Sequence, residues 1–187
     1  GRKEVPSAIA YSNDRSQIKQ GTKVVMGGKE YTVTTFNDSG DGKAVLTYVG
    51  DDGKVHTQET SVEELRNSSE VKVVVNSQPL QDNQVIQNGH LYEVGEKLTL
   101  SQVKTGQKVY KDGKVYTIES VNGSGGVATL KAEDGSTTTM DIKDLNSQNV
   151  NIVTEPDPKM QYTEGKTVEA RDGAYKVSGM IADAGDD

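Results

Sequence analysis

The sequence predicts an all-β protein made of two tandem small five-stranded β-barrels with extended N- and C-terminal arms. The main observation is an internal duplication: residues 101–118, SQVKTGQKVYKDGKVYTI, have a near copy at residues 16–33, SQIKQGTKVVMGGKEYTV. Aligned without a gap, the two stretches are identical at 10 of 18 positions. In addition, short runs rich in Val, Tyr, Thr and Ile alternate with glycine turns along both copies, which is typical of antiparallel strands.

Each copy opens with a predicted β-hairpin. In the second copy a Lys-Val-Tyr run and a Val-Tyr-Thr-Ile run flank an Asp-Gly turn, and Gly-Gly takes the place of that turn in the first copy. Gly28 and Gly113 are expected to have the same turn geometry, with positive φ at one or both, because a tight hairpin turn requires positive φ. Because side chains alternate along a strand, Tyr31 and its counterpart Tyr116 are predicted to point into corresponding places of the two cores.

The rest of each copy predicts three more strands and one helical turn. Two further strand-like runs surround a second Asp-Gly turn in both copies. A short polar segment ending in leucine follows, and in the first copy Ser61 with Glu64 has the pattern of a helical capping box. A last apolar run, residues 71–75 or 150–153, closes each copy.

This order of four strands, one helical turn and a fifth strand resembles a Src-homology-3-like small barrel, of the kind shared by KOW and Tudor-type modules. The lead-in of each copy, Ile or Val followed by Gly-x-Lys-Val and then Gly-Lys-x-Tyr-x-Val/Ile, is similar to the first hairpin of such barrels. The resemblance covers the two repeats and implies a barrel fold. Because these barrels host many unrelated functions, it implies no particular activity.

The predicted organisation has five segments. They are an N-terminal arm at 1–15, a first barrel at 16–77, an inter-repeat linker with a hairpin at 78–100, a second barrel at 101–154, and a C-terminal extension with a hairpin and an acidic tail at 155–187. The Asn-Gly pair at 88–89 predicts the turn of the linker hairpin. That hairpin is either a degenerate third copy of the repeat's first hairpin or ordinary hairpin chemistry, and residues 165–180 are an open case of a partial third repeat.

Composition limits the classes of function. The chain has 187 residues, a formal net charge of −7, 32% hydrophobic residues and no cysteine. The missing cysteines exclude disulfides, cysteine nucleophiles and thiolate metal sites. No apolar run approaches the ~20 residues of a membrane-spanning helix, and no signal peptide is recognised, so no membrane association is expected.

No catalytic, cofactor-binding or metal-binding residue is predicted, and no cofactor is expected. His56 and His90 lack a second ligand at metal-binding spacing on the same element. The loop that begins at Asn37 superficially suggests a calcium loop. An EF-hand requires Asp at its first position and Glu at its twelfth, however, and these positions hold Asn37 and Tyr48. The glycine stretch at 123–128 fits a dinucleotide motif by letter, but a predicted strand follows it where that motif needs a helix.

Several lysines gather around the two hairpins, which makes a nucleic-acid-binding tandem of KOW or Tudor type an alternative function. These lysines are Lys23, Lys29, Lys104, Lys108, Lys111 and Lys114. The net charge of −7 and the small number of aromatic residues argue against contacts with phosphates and bases. Lysines on a solvated strand face that protect a sheet edge are favoured instead.

The expected function is that of a non-enzymatic structural or interaction protein, present in multiple copies in a larger assembly of protein subunits. Tandem barrels without a catalytic set, and long arms without a core of their own, favour this interpretation. The low aromatic content with abundant Gly, Thr, Ser, Asn and Asp also resembles accessory virion proteins of tailed phages (capsid, neck or baseplate), which implies a virion location. Gly1 as first residue is compatible with a processed N-terminus or with a residue left by cloning. A cell-wall-targeting module is the second alternative.

The two arms are expected to contact partner subunits. Neither arm has enough periodic apolar residues to bury a core, so each is predicted to be mobile in isolation and ordered on assembly. Strand addition to the exposed sheet edge of a neighbour is the expected mode, because it satisfies the backbone of the arm. The predicted partner-binding anchors are Val5, Ile9, Met160, Tyr162, Val168 and Tyr175.

Overall fold

The computed structural model describes residues 4–147, 149–169 and 175–177. Over these residues the protein is all-β, with two antiparallel sheets and little helix. The strands in chain order are β1 (Glu4–Ser12), β2 (Lys23–Met26), β3 (Lys29–Phe36), β4 (Lys43–Val49), β5 (Val55–Ser61), β6 (Lys72–Pro79), β7 (Gln84–Gln87), β8 (His90–Lys97), β9 (Lys108–Lys111), β10 (Lys114–Asn122), β11 (Val127–Ala132), β12 (Thr137–Asp141), β13 (Asn151–Thr154), β14 (Gln161–Glu169) and β15 (Tyr175–Val177). The helices are α1 (Val62–Asn67) and α2 (Ile142–Ser147), and 3-10 turns lie at Arg15–Gln17 and Leu100–Gln102.

The chain forms two compact units, each with its own sheet. The first unit consists of the described parts of Gly1–Leu80 and Met160–Asp187, and its sheet has the order β15-β14-β1-β6-β2-β3-β4-β5. The second unit is Gln81–Lys159, and its sheet has the order β12-β11-β10-β9-β13-β8-β7. The sheets are larger than the five strands predicted for each repeat, because strands outside the repeats add to β6 and to β13.

The two repeats have the same internal strand order. In the first it is β6-β2-β3-β4-β5 and in the second β13-β9-β10-β11-β12, with a six-residue helix between the fourth and fifth strands of each. The backbone N–H of Glu64 donates a hydrogen bond of 3.0 Å to Oγ of Ser61, which caps α1 as the sequence predicts. The predicted series of four strands, a helical turn and a fifth strand is therefore present in both copies.

The turns of the two equivalent hairpins have the predicted geometry. Gly28 has φ 78° and Gly113 has φ 80°, in the left-handed region that glycine enters at little cost. The linker hairpin is also present: Asn88 has φ 50° and Gly89 has φ 82°, and they connect β7 to β8. Two-residue turns with positive φ thus connect the strands of all three hairpins. This geometry matches the preference of type I′ turns for glycine and asparagine.

Each repeat buries one apolar cluster, and most members are equivalent in the two copies. The first cluster comprises Ile18, Val24, Tyr31, Val33, Ala44, Leu46, Leu65 and Val71. The second comprises Leu98, Val109, Ile118, Ala128, Leu130, Leu145 and Val150. Tyr31 is buried as predicted, whereas Tyr116 is only half-buried and packs at the margin of its cluster.

The segment predicted as an N-terminal arm is a strand inside the first unit. β1 pairs with β6 on one side and with β14 on the other. Its residues Ser7, Ala8, Ile9 and Ala10 are all buried, so both faces of the strand are covered. The two predicted arms thus pair with each other and bury each other's apolar residues. The prediction considered each arm separately and therefore did not include this pairing.

The sheet of the first unit curls back on itself. β14 lies beside the β2–β3 turn, although β1, β6 and β2 separate β14 from β3 in the sheet order. A Cβ atom at Gly165 would lie 3.2 Å from the carbonyl oxygen of Gly28 and would collide with Cδ1 of Ile9. A side chain at 165 would therefore require Ile9 and the backbone at Gly28 to shift, as expected where another backbone approaches closely.

Candidate functional site

A groove of about 440 Å³ opens in the first unit where β2 and β6 separate. The two strands pair only at Val24 with Val73 and at Val25 with Lys72. Beyond this point the groove is lined by Gly21, Thr22, Lys23, Glu30, Val74, Val75, Asn76 and Ser77. It combines two charged groups, three uncharged polar side chains and an apolar wall, a mixture typical of small binding sites.

A β-bulge shapes one wall of the groove. Tyr11 of β1 pairs with Val74, and the preceding residue of β1, Ala10, pairs with Asn76. Val75 is therefore the extra residue of the bulge, and its side chain is 56% exposed. Bulges redirect side chains and bend the strand that carries them, so β6 turns at the groove.

Glu30 is, among the described residues, the only charged residue that is fully buried. Its Oε2 accepts a hydrogen bond of 2.9 Å from Oγ of Ser77, while its Oε1 has no hydrogen-bond partner. Burial raises the pKa of Glu30 to about 7, and the Ser77 hydrogen bond and the charge of Lys23 oppose this rise. A buried carboxyl oxygen without a partner needs a physical reason, which makes Glu30 the candidate binding group of the groove.

The strand pattern explains why Glu30 is buried. Tyr31 and Val33 of β3 belong to the first apolar cluster, so Glu30 points to the opposite face of the sheet. In the second repeat the aligned position is Val115, which is buried in an apolar cluster with Tyr92 and Val153. The first repeat therefore has a carboxyl group at a position that its copy fills with a hydrocarbon side chain.

Lys23 is the second charged group of the groove and is half-buried. Its Nζ donates a hydrogen bond of 3.4 Å to Oγ1 of Thr32, and burial lowers its pKa. The equivalent lysine of the second repeat, Lys108, makes the same bond to Thr117 at 3.1 Å. Lys23 and Glu30 make no direct ion pair, and both residues belong to the lining of the groove.

A polar cluster of a different kind surrounds Tyr92 in the second unit. The hydroxyl of this buried tyrosine donates a hydrogen bond to Glu133. Burial and the carboxylates of Glu133 and Glu155 raise the pKa of the Tyr92 hydroxyl, so it remains protonated. Glu155 in turn lies 2.7 Å from Nδ1 of His90. Each carboxylate has a partner inside the chain, so the cluster holds β8, β13 and the β11–β12 turn together.

Gln87, the last residue of β7, bonds to the β9–β10 hairpin, although β8 and β13 separate β7 from β9 in the sheet order. Its Nε2 donates to the carbonyl oxygen of Gly113 at 2.8 Å, and its Oε1 accepts from the backbone N–H of Val115 at 2.9 Å. A side-chain amide therefore pairs with the β9–β10 hairpin as a neighbouring strand would.

β5 and β12, the fourth strands of the two repeats, have free edges. Among the described residues each pairs on one side only. β5 pairs with β4 over seven consecutive positions and β12 pairs with β11 over five, and neither ladder contains a bulge. Neither strand contains Lys or Pro, and Val55 at the start of β5 is 63% exposed. Lysine, proline and bulges are common forms of protection of an edge strand. Both strands lack these three, and each carries one acidic residue, Glu59 in β5 and Asp141 in β12.

The predicted partner anchors lie in strands of the first unit or directly beside them. Ile9 and Tyr162 are buried, and Val5 and Met160 are half-buried. Val168 belongs to β14 and Tyr175 to β15, and their side chains lie outside the described part of the structure. The structure brings Val5, Ile9, Tyr162 and Val168 together on β1 and β14, which pair along eight positions. A role for them in binding another subunit stays a prediction.

Three of the remaining candidate groups, His56, Lys29 and Lys111, have partners within the chain, and Lys104 and Lys114 are exposed. His56 lies 3.3 Å from Asp52 and stacks on Tyr48. Nζ of Lys29 lies 4.5 Å from the centre of the Tyr48 ring, and Lys111 pairs with the neighbouring Asp112.

Two kinds of feature are not found. Within the described ranges, no three His, Asp or Glu side chains converge on a point where a metal ion could be held. In the same ranges no helix has the length and apolar character to cross a membrane.

Comparison of the chain with protein-family models, with curated proteins and with solved structures finds no match in any of the three.

Proposed function

We propose that this protein is a non-enzymatic structural subunit that binds other protein subunits of a larger assembly through the free edges of β5 and β12. The observation that carries the proposal is the pair of equivalent, regular edge strands without lysine, proline or a bulge. An edge strand presents a row of backbone N–H and C=O groups that an extended segment of a partner can pair with.

The duplication supplies one binding edge in each repeat. The two edges are the same strand of the same module, so one chain offers two binding edges of one kind. Linking two binding modules raises the apparent affinity for a partner with two matching segments well above that of either module. Two equivalent binding edges suit a protein that is present in multiple copies within one assembly.

Each repeat is proposed to be a Src-homology-3-like module. The strand order β6-β2-β3-β4-β5, its copy β13-β9-β10-β11-β12, and the helical turn before each fifth strand support the assignment. A virion protein of a tailed phage is a narrower form of the same proposal, supported by composition alone. Nucleic-acid binding and cell-wall targeting are alternatives that predict salt-sensitive binding to DNA or RNA and retention on peptidoglycan, respectively.

Lysine substitutions at the two edges test the proposal. Gln58 of β5 and Thr138 of β12 pair with Leu46 and Leu130, which are equivalent core residues. Both side chains are exposed in the chain, so lysine at these positions is compatible with the fold and opposes the approach of another strand. The double variant Gln58→Lys/Thr138→Lys is expressed in the native source, and its incorporation into the native complex is measured.

The control is Ser69→Lys, which adds one lysine, half the charge of the double variant, at an exposed turn position outside both edge strands. The proposal predicts that the wild-type chain co-migrates with other protein subunits, that Ser69→Lys incorporates equally, and that the double variant is depleted. A wild-type chain that migrates alone, or a double variant that incorporates like the control, overturns it.

A further inference from the structure

We propose that the groove of the first unit is an amide-binding site, in which a ligand's N–H donates to Oε1 of Glu30 and its C=O accepts from Nζ of Lys23. The site is separate from the edges of β5 and β12 and does not depend on their function.

The acceptor of the site is the unused oxygen of Glu30. A carboxylate has about four lone-pair positions for hydrogen bonds, and the described structure supplies one bond, from Ser77 to the other oxygen. Leaving a buried polar atom unpaired is destabilising. An N–H group that enters the groove therefore removes an existing penalty as well as forming a new bond.

The donor of the site is Lys23. An ammonium group has three protons to donate, and the bond to Thr32, at 3.4 Å, is at the long end of the range for hydrogen bonds. Lys23 and Glu30 both line the groove without forming an ion pair with each other. The groove wall therefore contains a donor and, in Oε1 of Glu30, a buried acceptor.

The charges favour a neutral ligand. Lys23 already supplies a positive charge that favours the ionised form of Glu30, and a second cation in the groove would be repelled by it. What Glu30 lacks is a hydrogen-bond donor. An amide carries one donor side and one acceptor side in a single planar group, which matches the pair of groups that the groove presents.

The site is particular to the first repeat. At the position of Glu30 the second repeat has Val115 within an apolar cluster, while the lysine and threonine are kept as Lys108 and Thr117. The groove volume of about 440 Å³ exceeds that of an amide group alone, and Val74 with Val75 offers an apolar wall to the chain that carries the amide.

Two small amides test the proposal and distinguish the two possible sources of the amide group, an Asn or Gln side chain and a peptide backbone. Acetamide represents the side chain of Asn or Gln, and N-methylacetamide represents a peptide backbone. Acetone has a carbonyl group of similar size but no N–H, and is the control. Each is titrated into the isotope-labelled full chain, and the NMR signals of Lys23, Ser77 and the Glu30 carboxyl group are followed. We expect saturable shifts with at least one amide and none with acetone.

Substitutions complete the test. Glu30→Val, which copies the second repeat, and Lys23→Met are each expected to weaken amide binding about tenfold or more, with the spectra of both variants remaining those of a folded protein. Lys108→Met, at the equivalent place in the second unit, should leave binding unchanged. Tighter binding of acetamide identifies a side-chain amide as the ligand group, and tighter binding of N-methylacetamide identifies a backbone segment. Equal shifts with acetone, absence of saturable shifts with both amides, or unchanged binding in folded Glu30→Val overturns the proposal.

Discussion

Glu30 and Val115 occupy the same position in the two copies of the repeat, and both are buried. Val115 packs in an apolar cluster with Tyr92 and Val153. Glu30 places a carboxyl group with one unpaired oxygen beside a groove. The second copy shows that valine fits at this position. A buried carboxyl there is expected to lower the stability of the first unit, and such a loss of stability is common at functional sites.

Replacing Glu30 by valine should stabilise the first unit. With the pKa of Glu30 raised from 4.5 to about 7, ionisation of the buried group costs on the order of 3 kcal/mol at pH 8, and Glu30→Val removes that cost. The free energy of unfolding, followed by urea titration with NMR signals from each unit, measures the gain. The reverse change, Val115→Glu, should destabilise the second unit. A Glu30→Val variant no more stable than the wild type at pH 8 contradicts this account of the buried carboxyl.

The stability of the first unit should depend on pH in a defined window. Since the folded state raises the pKa of Glu30, its stabilising effect is complete below about 4.5 and is lost as pH rises to about 7. The groups facing Glu30 are the ammonium of Lys23 and the hydroxyl of Ser77, and both oppose the shift. The lowered pKa values of Asp14 and Asp52, which are exposed residues of the first unit, act at more acidic pH. Unfolding midpoints of the first unit from pH 4 to pH 9 should therefore fall across this window, and Glu30→Val should flatten the profile.

Valine at either turn glycine should be strongly destabilising. Gly28 and Gly113 have φ of 78° and 80°, a region that β-branched residues tolerate poorly, so each substitution should cost clearly more than the ~1 kcal/mol of an ordinary mutation. Gly123→Ala is the control, because Gly123 lacks positive φ and a Cβ there meets nothing within 4 Å. The midpoints of thermal unfolding of the three variants are compared. Equal midpoints would contradict the claim that the two hairpin turns require glycine.

The two equivalent tyrosines should differ in their contribution. Tyr31 is 9% exposed and meets Tyr48 edge-to-face at 5.2 Å, so Tyr31→Ala should cost on the order of 3 kcal/mol or more. Tyr116 is only half-buried, and Tyr116→Ala should cost less. Urea unfolding monitored separately in each unit measures both. A Tyr31→Ala protein that unfolds like its parent would show that the core of the first unit lies elsewhere.

The structure of the repeats could be predicted from sequence because it depends on interactions between residues close in the chain. The structure of the arms could not, because it depends on pairing between strands that are far apart in the chain. The glycines of the hairpin turns and the Ser61 cap act on their own neighbours, so their structures follow from a few residues. β1 depends on pairing with β14, from Glu4 with Val168 to Tyr11 with Gln161, across almost the whole chain. The signal for a central strand was the uninterrupted run of small and apolar residues from Ala8 to Ala10, which lacks the alternation of a strand with one exposed face.

The groove was missed for a different reason. Alignment of the two repeats drew attention to identical residues, and these mark shared fold. The informative position was a difference, Glu30 against Val115, because a carboxyl that replaces a buried valine needs a physical reason. Its environment depends on Ser77, which is 47 residues away in sequence, so neither the burial nor the unpaired oxygen could be derived from the pattern of β3 alone.

Hydrogen exchange on the isolated protein and on the complex from its native source tests the central claim most directly. The account predicts that amides of β1 and β14 are protected in both samples, because those strands pair within the chain. Backbone amides on the free sides of β5 and β12 should exchange quickly in the isolated protein and slowly in the complex. Equal exchange of β5 and β12 in the two samples would contradict the proposal that these edges bind other subunits.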